Sequence, residues 1–275
     1  MRSLIKRIGI AATVGAALLL VAAACSERES PLGRTAAEPG TIDREPLSFD
    51  VLQLNDYGDS PSRQIITAYA TDEDPSLPQQ PMPVLYLLHD WQGDALEFQG
   101  YNLQALLSDM YAKGEIGRMM VVTVDASNGL GGSFYRNAGT MGDYEDVLAA
   151  TIDHVEKHTR AYTAGGRMAR AISGHGMGGY GAFRFALDRP EMFGAVSSMS
   201  GPLSFGEQNS DFGIWGTLVP QVFTEIDIVP PDAEMSVYPR LAAARHTLRN
   251  TALFVAMSGA FSPHPLRSLD SLGML

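Results

Sequence analysis

The sequence predicts an α/β fold with a mostly parallel sheet that carries helices on both faces. Short continuous apolar runs have the character of buried parallel strands, and segments with apolar residues at helical spacing separate several of them. A glycine-framed turn, "GHGMGG" at 174–179, lies between an apolar run and the helix-like segment "YGAFRFAL". In a sheet of this kind the functional site lies at the carboxyl ends of the strands.

Each element follows from a local pattern. Alternating polarity predicts two early strands, which can pair antiparallel, at "LSFDVLQL" and "RQIITAYA". Helical spacing of leucine, valine, isoleucine and methionine predicts helices at 102–113 and 143–158. Continuous apolar runs predict further strands at "MPVLYLLH" (82–89), "RMMVVTVD" (118–125), "MARAIS" (168–173), "GAVSSMS" (194–200) and "TALFVAMS" (251–258).

Composition limits the class of protein. A chain of 275 residues that is 45% hydrophobic and 19% charged can bury one large core. With 20 lysines and arginines against 31 aspartates and glutamates, the formal net charge is −11. No basic run is present to replace the counterions of phosphates, so nucleic acid is excluded as a partner.

Residues 1–24 are interpreted as a signal peptide rather than as part of the fold. A cationic start precedes the uncharged stretch 8–24, which is shorter than the about 20 residues of a spanning helix. The stretch "LLLVAAAC" resembles a bacterial lipobox, in which the cysteine, here Cys25, becomes the lipidated first residue. We therefore expect an exported lipoprotein, anchored to the membrane on the periplasmic side of the cell envelope. Simple secretion and an uncleaved anchor remain open alternatives.

The rest of the chain divides into two parts. Residues 25–46 are polar and contain prolines and few large apolar side chains, which is typical of a flexible tether. Residues 47–275 are predicted to form one domain. Cys25 is the only cysteine of the chain, so an intrachain disulfide is excluded.

Four stretches between Val84 and Ser204 carry a family resemblance: "VLYLLHDWQGD", "GGSFYRN", "DYEDVL" and "RAISGHGMGGYGAFRFALDRPEMFGAVSSMSG". They resemble the esterase family of α/β-hydrolases, which includes S-formylglutathione hydrolases, feruloyl esterases and bacterial mycolyltransferases. The resemblance implies the α/β-hydrolase fold, and ester hydrolysis or transfer by a serine, an acid and a histidine. It implies no metal and no other cofactor.

The turn at 174–179 has the frame of a nucleophile elbow, G-x-S-x-G, but Gly176 stands where the serine is expected. Glycine adopts the strained backbone of this position easily, and it offers no attacking oxygen. Ser173 lies at the strand end without a glycine frame of its own, and His175 is expected to pack against neighbouring loops. No intact nucleophile is therefore predicted.

The resemblance also implies an oxyanion hole formed by the backbone N–H groups of Trp91 and Met177. At the end of the early strand, the family's His-Gly pair is replaced by His89-Asp90. We expect the Asp90 carboxylate to repel the negative charge that ester cleavage must develop. This is a second departure from the family pattern.

The glycine-rich segment "NGLGGSFY" (128–135) lacks the lysine of a phosphate-binding loop. It is interpreted as a substrate-side loop that presents Ser133, Phe134 and Tyr135. The expected ligand of such a cleft is a small ester or a saccharide.

The acid and the histidine of a triad should follow the serine in that order, after the strand predicted at 251–258. The remaining sequence offers His264 before Asp270, which reverses the order. Because the segment after 258 is shorter than another helix and strand would need, the last strand is expected to be missing. A natural carboxyl terminus and a truncation both remain open.

Two groups of residues could bind a metal. His154 and His158 lie four apart on one predicted helix, where they border the apolar stripe and are interpreted as solvated. A second group follows predicted strands and could hold zinc through imidazole and carboxylate: His89, Asp90, Asp125 and His175. Since the family pattern accounts for residues at these positions, no metal is predicted.

Three functional interpretations remain. The first is a pseudo-esterase that keeps the fold and binds a ligand. The second is an active carboxylic-ester hydrolase or acyltransferase with an unusual catalytic arrangement, and the third is a decayed or truncated gene product. Loss of triad members leaves about 10³–10⁴-fold acceleration over water, against the about 10⁶-fold or more of typical enzymes. The first interpretation is therefore preferred.

Overall fold

The computed structural model describes residues 48–54, 63–69, 80–139, 141–204, 214–226 and 246–261. The predicted signal peptide, Cys25, the tether, His264 and Asp270 lie outside these ranges. Within them, a small two-stranded sheet consists of β5 (Asn137–Ala138) and β6 (Gly142–Asp143). Six strands form the central sheet: β1 (Ser48–Leu54), β2 (Arg63–Tyr69), β3 (Val84–Leu88), β4 (Met120–Val124), β7 (Arg170–His175) and β8 (Ala195–Met199).

The central sheet has the strand order β1-β2-β4-β3-β7-β8 and is mostly parallel, as predicted. Strand β3 is parallel to both β4 and β7, and β7 is parallel to β8. The two early strands pair antiparallel, and β2 is antiparallel to β4. Because Leu88 pairs with both Val124 and Gly174, the carboxyl ends of β3, β4 and β7 meet at one edge of the sheet.

The helices predicted at 102–113 and 143–158 are confirmed, because α-helices span Leu103–Ala112 and Tyr144–His158. Two 3₁₀ segments, Glu97–Tyr101 and Thr163–Ala169, lie in the connections. Among the described residues, no helix is both long and apolar enough to cross a bilayer. The α-helices of these ranges are α1 (Leu103–Ala112), α2 (Tyr144–His158), α3 (Met177–Asp188), α4 (Ile214–Ile226) and α5 (Arg249–Phe261).

The central sheet separates two apolar cores. Strand β3 is buried along its whole length, with Leu85 and Leu87 in one core and Tyr86 and Leu88 in the other. Helix α1 contributes to the first core, whereas α2, α3 and α5 contribute to the second. Burial on both faces explains why the strand sequences are continuously apolar.

The strand predicted at 251–258 is wrong, because these residues form most of α5. Ala252, Ala256 and Ala260 recur at helical spacing and are between 0% and 1% exposed. Their small side chains let the helix approach the core closely, and alanine, leucine and methionine favour helices. A short apolar run does not distinguish a strand from a helix by periodicity alone. Within the described ranges, no strand follows β8.

Candidate active site

The turn between β7 and α3 has the tight geometry that a nucleophile elbow requires. Gly176 has φ 52° and ψ −113° and precedes the first residue of α3. A Cβ atom on Gly174 would overlap the backbone of Gly178, and a Cβ atom on Gly178 would overlap the carbonyl group of Leu88. The glycine frame is therefore needed because the strand, the turn and the helix approach one another at backbone distance.

The Asp90 carboxylate occupies the space beside this turn. Its Oδ1 accepts hydrogen bonds from the backbone N–H groups of Trp91 and Met177, both at 2.7 Å. These are the two groups that the family resemblance implies as oxyanion donors. A Cβ atom on Gly176 would overlap Oδ1 and Cγ of Asp90. The carboxylate therefore accepts the hydrogen bonds of both amides. It also occupies part of the space that a nucleophile side chain at 176 would need.

Glu97 holds the surroundings of Asp90 in place. One oxygen of Glu97, Oε2, accepts the backbone N–H of Asp90 at 2.6 Å, and Oε1 lies 3.0 Å from Nδ1 of His175. Both the Glu97 and His175 side chains are only 10% exposed. A Cβ atom on Gly93 would overlap Oε2 of Glu97, so a glycine at 93 is required for this contact. Glu97 was not singled out from the sequence.

His89 supports the same edge as a neutral imidazole. Its Nε2 accepts the backbone N–H of Ala126 at 2.8 Å, and its Nδ1 lies 2.8 Å from the carbonyl oxygen of Asp90. Because an amide N–H can only donate, Nε2 is the acceptor and Nδ1 carries the proton. Both ring nitrogens are thus engaged, which leaves His89 without a lone pair for a metal.

The four residues weighed as a zinc site form two pairs. His89 Nε2 lies 3.8 Å from Asp125, and His175 Nδ1 lies 3.8 Å from Asp90. Across the described part of the chain, no group of three or more histidines, cysteines, aspartates and glutamates is arranged to hold a metal ion.

His154 and His158 lie side by side on α2, with ring centroids 4.5 Å apart. Desolvation and the neighbouring His158 charge lower the pKa of His154.

The three residues expected to face a substrate are instead buried. Ser133, Phe134 and Tyr135 are 0%, 2% and 3% exposed. The Ser133 hydroxyl donates to the carbonyl oxygen of Ala126, and the Tyr135 hydroxyl donates to that of His89 at 3.3 Å. Burial raises the pKa of Tyr135, so its hydroxyl remains a donor. These residues support the loops from inside the fold, and the expectation that they contact a substrate stays a prediction.

Ser173 is not placed as a substitute nucleophile. It is 1% exposed within β7, and its Oγ is buried without a hydrogen-bond partner.

A polar cavity of about 170 Å³ opens next to the turn that carries Trp91. The Trp91 Nε1–H donates to the carbonyl oxygen of Leu130 at 2.9 Å, which joins the loops that follow β3 and β4. The guanidinium of Arg249 lies 5.6 Å from the centre of the Trp91 ring. The cavity is lined by Gln92, Gly93, Asp94, Ser127, Asn128, Gly131 and His246.

Comparison with known proteins identifies the family of the chain. Residues 74–249 match the model of the family described as "Putative esterase". The chain belongs to this esterase family. No match is found among curated proteins.

Solved structures show the same α/β-hydrolase fold. One is FphF, a fluorophosphonate-binding serine hydrolase of Staphylococcus aureus, at 20% identity and a TM-score of 0.50, covering 62% of this chain and 63% of FphF. The chain therefore spans less than two thirds of that relative. A ferulic acid esterase has 23% identity and a TM-score of 0.50, covering 81% of this chain and 90% of the esterase. At these identities the likeness concerns the fold of this esterase-family protein alone.

Proposed function

We propose that this protein is a pseudo-esterase, which uses the α/β-hydrolase scaffold for binding and does not cleave esters. The observation that carries the proposal is the Asp90 carboxylate, bonded to both amides on which an oxyanion would have to form. At the same turn, Gly176 supplies no attacking oxygen. The donor pair and the nucleophile are therefore both unavailable to an ester.

The magnitude of these two effects supports the absence of turnover. Removing one oxyanion donor from a serine hydrolase costs about 10²–10³ in kcat, and here both donors already serve a negative group. A substrate oxyanion would also have to form beside the Asp90 carboxylate, in a site that cannot stabilise a second negative charge. Without a nucleophile, covalent catalysis has no first step.

One observation favours the alternative, an esterase with an unusual arrangement. The Nδ1 of His175 lies 3.0 Å from Glu97 Oε1, and an imidazole oriented by a carboxylate is the usual form of a general base. This pair could activate water directly. The ring is largely buried, however, and its Nδ1 lies 3.8 Å from a carboxylate oxygen of Asp90, which already occupies the donor pair.

The test compares this protein with an active serine hydrolase of the same fold. A fluorophosphonate probe should leave the intact mass of this protein unchanged, while FphF serves as the positive control. Activated acetate and butyrate esters should be hydrolysed near the background rate. Stoichiometric labelling at any serine, Ser173 included, would contradict the proposal. Ester turnover by the wild type that His175→Ala abolishes would establish the alternative.

For the ligand, the polar cavity beside Trp91 favours a hydroxyl-rich molecule such as a saccharide over an apolar acyl group. Its lining combines a carboxylate, two amides, a hydroxyl and an imidazole, which suit hydrogen bonding to hydroxyl groups. Saturation-transfer NMR with simple sugars and with methyl ferulate distinguishes the two ligand classes, since only the sugars should receive magnetisation.

The export expected from residues 1–24 and Cys25 is part of the same proposal. Its support is the sequence of the amino terminus, with its cationic start, apolar run and single cysteine. A membrane-anchored pseudo-esterase would present its binding cleft outside the cytoplasm.

A further inference from the structure

We infer that the Trp91 and Met177 amides form a preorganised anion site that Asp90 keeps occupied from within the chain. The side chain at position 90 then decides whether this site can accept a small carboxylate from solution. The inference rests on the proposed function, since it concerns what the non-hydrolytic site binds.

The two donors come from separate elements and converge on one point. The Trp91 N–H belongs to the turn after β3, and the Met177 N–H begins α3; both lie 2.7 Å from Asp90 Oδ1. Hydrogen bonds from neutral amides to a charged oxygen are stronger than those to a neutral acceptor. The start of α3 adds its dipole to the same point, but the second donor, from a different loop, is what defines the position of the anion.

Contacts that do not involve the Asp90 carboxylate fix the donors. The backbone N–H of Asp90 is held by Glu97, and its carbonyl oxygen accepts the N–H of Gly93 at 2.9 Å. The Trp91 indole is tied to Leu130. On the other side, the Gly176 N–H donates to the carbonyl oxygen of Met199 at 2.8 Å. Shortening the side chain at 90 should therefore leave both amides in place.

The space that Asp90 fills has the size and chemistry of a monocarboxylate. Gly176 contributes no side-chain atom, and its missing Cβ leaves the volume in which Oδ1 and Cγ of Asp90 lie. The Asp90 side chain is 33% exposed, so the space opens towards solvent. Formate, the smallest carboxylate, should enter once the resident carboxylate is removed.

The experiment titrates formate into ¹⁵N-labelled wild-type protein, Asp90→Ala and Asp90→Asn at constant ionic strength. In Asp90→Ala, the amide resonances of Trp91 and Met177 should shift saturably, with a Kd at least tenfold lower than in the wild type. Asp90→Asn is the matched control, because its amide oxygen can still accept both N–H groups while the charge is lost. It should bind formate no better than the wild type.

Equal Kd values for Asp90→Ala and the wild type, or no shift in a folded Asp90→Ala, would overturn the inference. If Asp90→Ala and a second shortened variant, Asp90→Gly, both fail to fold while Asp90→Asn folds, the donors depend on the side chain and preorganisation is refuted. Ester turnover by the wild type would contradict the proposed function and leave this binding result unchanged. The two claims therefore fail separately.

Discussion

The missing side chain at Gly176 and the position of the Asp90 carboxylate explain each other. Gly176 has a φ of 52°, which side-chain-bearing residues rarely adopt, and a Cβ atom there would overlap the carboxylate. Conversely, Asp90 could not reach the Met177 N–H if a serine filled that space. The two departures from the family pattern are therefore in direct contact, since the Asp90 carboxylate lies where a Cβ atom on Gly176 would lie.

Gly176→Ser should lower the free energy of unfolding by about 1–3 kcal/mol more than a glycine-to-serine change without the overlap, because of overpacking. Gly166 provides the control, since its φ is 54° and nothing lies within 4 Å of a Cβ atom placed on it. Urea unfolding of both variants measures the difference. Asp90→Ala should rescue Gly176→Ser and not Gly166→Ser, with a coupling energy of about 0.5–3 kcal/mol.

If both variants lose the same free energy of unfolding, or if Asp90→Ala does not rescue Gly176→Ser, then a side chain at 176 does not compete with the Asp90 carboxylate for the same space. Ester turnover of Gly176→Ser should stay near background, because a serine without its base gains little. A gain of several orders of magnitude in kcat/KM would instead reveal a working base, with His264 as the first candidate for it.

For single residues, the two positions that depart from the family pattern can be identified from the sequence, but the contact between them cannot. Gly176 and Asp90 stand out because each interrupts a recognisable motif. Asp90 and Met177 are 87 residues apart, and only the pairing of β3 with β7 brings them together. Glu97 gives no signal, because a single glutamate in a connection resembles any solvated glutamate.

At the scale of elements, one carboxylate joins α4 to α5. Glu225 accepts backbone hydrogen bonds from Asn250 at 3.0 Å and Thr251 at 2.7 Å, and side-chain hydrogen bonds from the same two residues. It thereby satisfies donors at the start of α5 that have no partner inside the helix. Desolvation acts to raise the pKa of Glu225, but these hydrogen bonds outweigh it and hold the pKa below its usual value.

Glu225→Gln should therefore lower the free energy of unfolding by about 1–2 kcal/mol at neutral pH. The exposed Glu191 provides the control, and Glu191→Gln should change it by less than about 0.5 kcal/mol. Because the folded-state pKa of Glu225 is lowered, its contribution is present above the ordinary value of 4.5 and is lost as the pH falls below it. Urea unfolding across this pH range should show the two proteins converge in acid; a constant difference would contradict the account.

Helices with a clear apolar stripe were predictable, whereas α5 was not. In α2, Val147, Leu148, Ile152 and Val155 form one buried stripe, and this 3.6-residue spacing is visible in the sequence. In α5, the run at 251–258 is polar only at its two ends, Thr251 and Ser258, so no polar residue inside it reveals a period. Helix α5 packs against α4, and this contact cannot be seen in the local sequence.

For the whole molecule, two features can be predicted from the sequence: the elements that a local apolar pattern indicates, and the residues that follow parallel strands and so meet at one edge of the sheet. Apolar runs predict a parallel sheet, and parallel pairing brings the residues after β3, β4 and β7 to one edge. What occupies that edge depends on side-chain packing over long sequence distances. The fold can therefore be predicted from the sequence, whereas the hydrogen bonds from the Trp91 and Met177 amides to Asp90 become visible only in the folded structure.

Export belongs to the same scale, because it concerns the full chain and not only the residues that the structure describes. The cationic start, the apolar run and Cys25 predict lipidation at the cysteine. The mature protein should partition with membranes and incorporate labelled fatty acid, and Cys25→Ala should abolish both. Unmodified wild-type protein found free in the cytoplasm would contradict this expectation.

The most direct test of the central claim is to detect the hydrogen bonds between Asp90 and the amide pair. An NMR experiment that transfers magnetisation across hydrogen bonds should connect the backbone nitrogens of Trp91 and Met177 to Cγ of Asp90. The hydrogen bonds from the Leu130 and Gly132 amides to the Asn128 side chain, at 2.9 Å and 3.0 Å, are internal positive controls. The account predicts correlations from both amides to Asp90. Visible control correlations without the Met177–Asp90 correlation would show that the carboxylate does not fill the site.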